Sequence, residues 1–294
     1  MSGKYVLFIP QGGLNDCFTR INITISYCEL TNRTLLLDFT RSEYRINFFD
    51  YFLIKSARCN IIYDTNEIIK VLTTLKNTNR LSVYPPNLDF NIIDLFNENS
   101  KCISWFTFVE GKLDFSYKGI SLALPSNSNE TVILHSACGG GLGYLFFRTL
   151  RLRDQIKVAV REKLQRLGPE YLCIHVRNTD LKCNYQELYL NHQSLIHSFK
   201  QLYLCTDDKK VYEFFKTQNL NVACFTTFPE NYIDGLGLHH YYQGITADQK
   251  IFDVIVDIFI ATNSKILLSD SKGGFINLIR TCHQNKSDVL KMLE

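Results

Sequence analysis

The sequence lacks the features that mark the special classes of protein. No stretch approaches the ~18–20 apolar residues of a membrane span, and the strongest run, Val254–Ala261, is broken by Asp257. Neither sign of charge dominates: 32 Lys and Arg face 29 Asp and Glu, a net of +3, too small for a general nucleic-acid-coating protein. Six Pro and 15 Gly in 294 residues, without a repeat, exclude a fibrous or linker-rich chain. No dinucleotide-type G-x-G-x-x-G and no P-loop occurs. A D-x-D at a strand end is also missing, and His239-His240 has no carboxylate at ligand spacing, so no metal site is expected. The ten cysteines contain no C-x-x-C pair, which argues against a zinc cluster or a thioredoxin-like centre.

What is present belongs to a folded globular chain. Hydrophobic residues make up 46% and charged residues 21%, which excludes bulk disorder. The length suits roughly two domains of ~150 residues. Several cysteines sit inside apolar runs, such as Cys173 in Leu172-Cys173-Ile174, where they behave as small buried hydrophobes. The opening run Tyr5–Ile9 is too short for a secretory leader, so a cytoplasmic protein with free thiols is expected.

Tyr5–Ile9 reads as a buried strand closed by Pro10-Gln11-Gly12-Gly13. Phe18, Ile21, Ile25 and Cys28 then recur at helical spacing, and Thr34–Asp38 is a second buried strand. Strand, turn, helix, strand is a βαβ unit, which implies a parallel sheet. From Arg41 to Ser128 short apolar runs alternate with polar pieces, and more α/β with insertions is expected. Thr131–His135 is a further strand, followed by the glycine cluster Cys138–Gly143, either a simple turn or a flexible acceptor-site loop. A charge-dense helix over Leu150–Leu167 stops at Gly168-Pro169, where a domain boundary is expected, giving domains 1–168 and 169–294. Its basic residues, Arg151 to Arg166, suggest nucleic-acid binding only until Asp154 and Glu162 are counted; a solvated helix is the expectation.

The second half alternates more cleanly. Strands are expected at Tyr171–Val176, Gln201–Cys205, Asn221–Phe225 and Lys265–Ser269. Helices are expected at Gln186–Phe199, Lys209–Gln218 and Ala247–Ala261, with a last one beginning at Gly274. This rhythm predicts a Rossmann-like domain, whose ligands bind beyond the carboxyl ends of the strands. Three strand ends carry chemistry. After the first come His175, Arg177 and Asp180; Arg177 can offer a planar fork of donors to a phosphate, or pair with Asp180 at the sheet rim. After the second come Thr206-Asp207-Asp208, one Asp a candidate helix cap and the other an acceptor for a base or ribose. After the last come Ser269, Ser271, Gly273, Gly274 and Phe275, where backbone amides at a helix start can meet an anion.

Taken together, Gly12-Gly13-Leu14-Asn15-Asp16 with Arg33–Asp38, His175-Val176-Arg177-Asn178-Thr179-Asp180, Leu204–Asp208, and Asp257–Ala261 with Ile266–Phe275 resemble the motif blocks of the fucosyltransferase superfamily, in the same order. The second block looks like its H-x-R-x-x-D motif. The resemblance implies two Rossmann-like domains facing a cleft (GT-B type). It implies an inverting transfer without a metal or other cofactor, with GDP-fucose as co-substrate. Donor contacts would come from Gly12, Gly13, Asn15, His175, Arg177, Asp180, Thr206, Asp207, Asp208, Ser269, Ser271, Gly273, Gly274 and Phe275. The acceptor would be an oligosaccharide or a lipid-linked or glycoprotein glycan, with peripheral membrane association for a lipid-linked one. Two departures stand out: Asn178 where the family has a second arginine, and Lys272-Gly273-Gly274-Phe275 in place of a Ser/Thr-rich turn. Arg177 is the expected catalytic group on the leaving diphosphate, and Asp16 or Asp38 the candidate base, each also readable as a cap. The alternatives are the same fold with another GDP-, UDP- or CMP-sugar, or a non-catalytic glycan- or nucleotide-binding protein.

Overall fold

A computed structural model describes residues 3–42, 44–86, 88, 91–96, 105–109, 112–117, 120–179, 181–233, 236, 238 and 244–294. The chain divides into two compact units, Met1–Leu150 and Arg151–Glu294.

The first unit runs β1 (Tyr5–Pro10), α1 (Leu14–Leu30), β2 (Thr34–Leu37), β3 (Phe52–Ile54), β4 (Ile61–Ile62), α2 (Thr65–Asn77), β5 (Val83–Tyr84), β6 (Trp105–Val109), β7 (Lys112–Tyr117), β8 (Ile120–Ser121), β9 (Val132–Ala137) and α3 (Tyr144–Phe147). Five strands form a parallel sheet in the order β4-β2-β1-β9-β5. Strand alternation turns Leu7, Ile9, Leu36 and Leu134 to one face, against Ile68, Leu72 and Leu75 of α2. Elsewhere in this unit the core is aromatic: Phe18 of α1 meets Phe48, Phe146 and Phe147, and Phe48 stacks on Phe39 and Phe52. Each such ring, fully buried, contributes roughly 1.5–3 kcal/mol. Arg33 is buried because its guanidinium donates to the carbonyls of Tyr5, Ser128 and Glu130 and so ties the amino ends of two strands together. The β6, β7 and β8 strands make a separate antiparallel sheet within the region where only a general α/β pattern was expected.

After β10 (Leu150–Leu152), the second unit runs α4 (Asp154–Leu167), β11 (Leu172–Val176), α5 (Tyr185–His197), β12 (Leu202–Thr206), α6 (Lys209–Thr217), β13 (Val222–Ala223), α7 (Ala247–Asn263), β14 (Ile266–Leu268), α8 (Gly274–Gln284) and α9 (Lys286–Leu290). Four strands pair in parallel in the order β13-β12-β11-β14. Leu172, Ile174, Leu202 and Leu204 pack against Leu188 and Ile196 of α5 and Val211 and Phe215 of α6. The residues between them, Tyr171, Cys173, Tyr203 and Cys205, are buried on the opposite face. There the Tyr171 hydroxyl donates to the Ile260 carbonyl of α7 at 2.7 Å.

Sequence reading puts the boundary at Gly168, whereas the chain divides after Leu150. The reason is that α4 is held by the second unit. Arg161 donates to the Leu293 carbonyl, and the Lys163 ammonium lies 4.4 Å from the centre of the Phe225 ring. Lys157 is buried beside Asp154 at 3.4 Å. Three of the basic residues in the charged run are thus occupied within the protein and are not offered to a polyanion.

Candidate functional site

In both parallel sheets the strand order reverses at one point. In the first, β2 lies on one side of β1 and β9 on the other; in the second, β12 and β14 flank β11 in the same way. Successive crossovers at such a point leave for opposite sides, and a crevice opens beyond the carboxyl ends of the two central strands. Motif residues of the sequence collect at these two places.

At the end of β11, His175 is buried, with its ring 5.8 Å from that of Phe275. Its Nδ1 shares a 3.2 Å hydrogen bond with Ser269 Oγ. Burial, then the positive charges of Arg177 and Arg280, push its pKa down to about 3, so the ring is neutral at physiological pH. The hydroxyl of Ser271 accepts from the Arg177 amide at 2.9 Å and donates to the His175 carbonyl at 3.4 Å, stitching the turn after β14 to the exit of β11. Gly273 is the N-cap of α8 at φ 120°, and Arg177 Nη1 lies 3.1 Å from where a Cβ would stand. The Arg177 guanidinium therefore passes over the start of α8, where an unfilled set of helix amides adds partial positive charge. Arg280, on α8, donates through Nη2 to the Ser269 carbonyl at 2.6 Å. Asp180, the residue that could pair with Arg177, lies outside the described residues, as do His239 and His240.

At the end of β12 the two aspartates divide their work. Asp208 is the N-cap of α6: its Oδ1 accepts from the Lys210 amide at 2.8 Å and from the Tyr232 hydroxyl at 2.8 Å. Asp207 accepts from the Asn178 amide at 2.9 Å and the Thr179 hydroxyl at 2.6 Å. Burial raises the Asp207 pKa, and those two hydrogen bonds with Arg177 oppose the shift. The Asn178 side chain donates to Asp208 Oδ2 at 2.7 Å, so the residue standing where a second arginine was expected fastens β11 to α6. Thr206 caps the turn internally, accepting from the Asp208 amide at 3.2 Å.

At the crevice of the first unit, Gly12 takes φ 84°, a conformation open to glycine at little cost, and Gly13 is the N-cap of α1. Asp16 stands half-buried in the first helical turn, with Oδ2 3.2 Å from where a Gly12 side chain would start. Asn15 is buried and reaches across to the glycine cluster: its Nδ2 donates to the Gly140 carbonyl at 3.3 Å and its Oδ1 accepts from the Gly143 amide at 3.1 Å. Thr19 and Arg20 add hydrogen bonds to the Leu142 amide and the Cys138 carbonyl. The glycine cluster is thus a turn braced from α1. Asp38 is buried and committed, accepting from the Thr40 amide and hydroxyl and pairing with Arg41 at 3.0 Å. Among the described residues no three of His, Cys, Asp and Glu stand together as a metal site requires.

Sequence reading passed over Arg280 and Tyr232. Arg280 sits mid-helix among apolar neighbours, and Tyr232 in a loop. Neither carries a motif.

No protein-family profile matches the chain, and none of the curated proteins matches it in sequence. Solved structures do match in fold. The NodZ α-1,6-fucosyltransferase co-crystallised with GDP is 17% identical, with 95% of this chain and 92% of that one covered and a TM-score of 0.57. POFUT1 in complex with GDP is 12% identical over 96% and 95% of the two chains, also at a TM-score of 0.57. The fucosyltransferase NodZ from Bradyrhizobium is 17% identical over 95% and 93%, at a TM-score of 0.56. The likeness is one of fold and runs nearly end to end: this α/β chain has the GT-B architecture of those fucosyltransferases.

Proposed function

We propose that the protein is a glycosyltransferase, an inverting and metal-independent fucosyltransferase that moves the sugar of GDP-fucose to a glycan hydroxyl. The observation that carries this reading lies at the carboxyl ends of β11 and β14. Arg177 passes over the start of α8 there, on a fold shared along the chain with proteins crystallised with GDP.

The chemistry follows from the charges. As the glycosidic C–O bond to the diphosphate breaks, negative charge builds on the departing oxygens. The fixed fork of Arg177 and the amides at the head of α8 suit that charge without reorganising. The neutral ring of His175 and the Ser271 stitch hold the Arg177 backbone in position. The acceptor hydroxyl attacks the anomeric carbon from the opposite face and loses its proton to a carboxylate, for which we propose Asp16, half-buried in the first turn of α1.

A calorimetric panel of GDP, UDP and CMP, followed by a transfer assay with GDP-fucose and fucosylatable oligosaccharides, tests the reading. GDP should bind and transfer should follow; binding of UDP or CMP but not GDP would replace fucose with another nucleotide sugar, and nucleotide binding without transfer to any acceptor would leave a binding protein. Arg177→Lys keeps the charge and loses the two-pronged contact, and turnover should fall by ~10²-fold with an unchanged melting temperature. Arg177→Ala should do at least as much and abolish stabilisation by GDP. Near-normal transfer in Arg177→Ala would move the diphosphate site elsewhere, and an unfolded variant would make the arginine structural.

A further inference from the structure

A nucleoside diphosphate brings more negative charge than one guanidinium and the roughly half charge of a helix end can balance. Asn178, next to Arg177, is neutral and turned toward Asp208. The crevice has another cation close by. Side chains on a helix lean toward its amino end, so Arg280 reaches back along α8 to the strand end. There its Nη2 donates to the carbonyl of Ser269, the first residue beyond β14. Ser269 is the residue whose hydroxyl meets His175, so this guanidinium is fastened to the rim of the same crevice. The depressed basicity of His175 agrees, since after burial both Arg177 and Arg280 contribute to it. Arg280 is exposed, and no carboxylate among the described residues lies within ion-pair distance of it. A guanidinium held by one N–H on a fixed carbonyl keeps the rest of its planar fork for an anion.

We infer that Arg280 is a second diphosphate-binding residue, acting beside Arg177 on the phosphates of the nucleotide. The inference rests on the nucleotide-sugar reading above.

Arg280→Gln separates this role from a merely structural one, because glutamine retains an N–H for the Ser269 carbonyl and loses the charge. Wild type, Arg177→Ala and Arg280→Gln are titrated with GDP and with guanosine by calorimetry at low and high salt, and melted. For Arg280→Gln we expect an unchanged melting temperature, GDP affinity reduced about tenfold, guanosine affinity unchanged, and a shallower salt dependence for GDP. Undiminished GDP affinity overturns the inference, as does an equal loss for guanosine. Wild-type protein that binds GDP, loses it in Arg177→Ala and keeps it in Arg280→Gln overturns this inference alone. Wild-type protein that binds neither GDP nor UDP overturns the proposed function and this inference with it.

Discussion

Asp16 and Asp38 look alike in the sequence, each following a buried strand of the same βαβ unit, yet they differ in burial. The Asp38 carboxylate is 1% exposed and locked by Thr40 and Arg41. Asp38→Asn removes the charge paired with the buried Arg41 guanidinium and should cost about 3 kcal/mol in a urea melt. Asp16 is half-buried in the first turn of α1, where a carboxylate is worth at most ~1 kcal/mol through the helix dipole. With Asp16 as the proposed base, Asp16→Asn should lower transfer ~10²-fold or more, with a melt of the same variant to show that it folds. Unimpaired turnover in Asp16→Asn would end that assignment. The Asp-x-x-Arg spacing of the Asp38 pair was on the page, but residues three apart meet outside a helix only when the intervening turn brings them together.

At the scale of elements, the turn from β14 into α8 carries the site, and Gly273 is its tightest point. At φ 120° any side chain is strained, and a methyl would press on Arg177 Nη1 at 3.1 Å and on Leu181 at 3.3 Å. Gly273→Ala should lose ~1–3 kcal/mol of stability and weaken GDP binding beyond what the melt explains, because the guanidinium has to move. GDP affinity equal to wild type would mean that Arg177 does not depend on this turn. From β11 to β14 the strands and helices of the second unit were legible to within a few residues, because apolar runs and amphipathic stripes alternate cleanly there, whereas Leu150–Leu152, read as the start of a helix, is strand β10, and α9 was not expected. Helix α2 was not resolved by the same reading, although Asp64 caps it through the Glu67 amide and Ile68, Leu72 and Leu75 follow at helical spacing. Its signal was diluted by the irregular polar pieces around it.

For the whole molecule, buried titratable groups make stability depend on pH in opposing senses. Burial lowers the pKa of His135 to about 4 and of His175 to about 3, so the unfolded chain binds more protons below the usual histidine value. Stability from this source rises with pH up to about 6.5. Asp257 of α7 works the other way. Burial raises it to about 7, against hydrogen bonds from Tyr203 and Cys205, so the folded state holds its proton more tightly. That contribution is full below about pH 4 and is lost as pH rises through 7. Asp257→Asn keeps an acceptor for Tyr203 and cannot ionise. Relative to wild type, the variant should gain stability as pH goes from 5 to 7, by at most ~1.4 kcal/mol per pH unit, and the difference should level off above 7. Guanidinium melts across that range check it, and parallel curves for the two proteins would refute it.

Composition and periodicity were enough to determine that the chain is α/β, built on parallel sheets with glycine turns at the strand ends, because burial on both faces of a parallel sheet leaves continuous apolar runs and helices leave a regular stripe. They also marked His175, Arg177, Asp207, Asp208 and the Ser269–Phe275 turn, since strand-end chemistry is local. Tertiary structure alone decided which of these groups remain available. Asp207 and Asp208 are drawn to Asn178, Thr179 and Tyr232, and Asp38 is locked by Arg41. It also decided that α4 belongs with the second unit, and that Arg280 of α8 stands at the rim beside β11. Hydrogen bonds and charges act over a few ångströms of space, and a partner 94 or 125 residues away in the chain, as for Arg177 with Ser271 or Asn15 with Gly140, leaves no trace in local sequence.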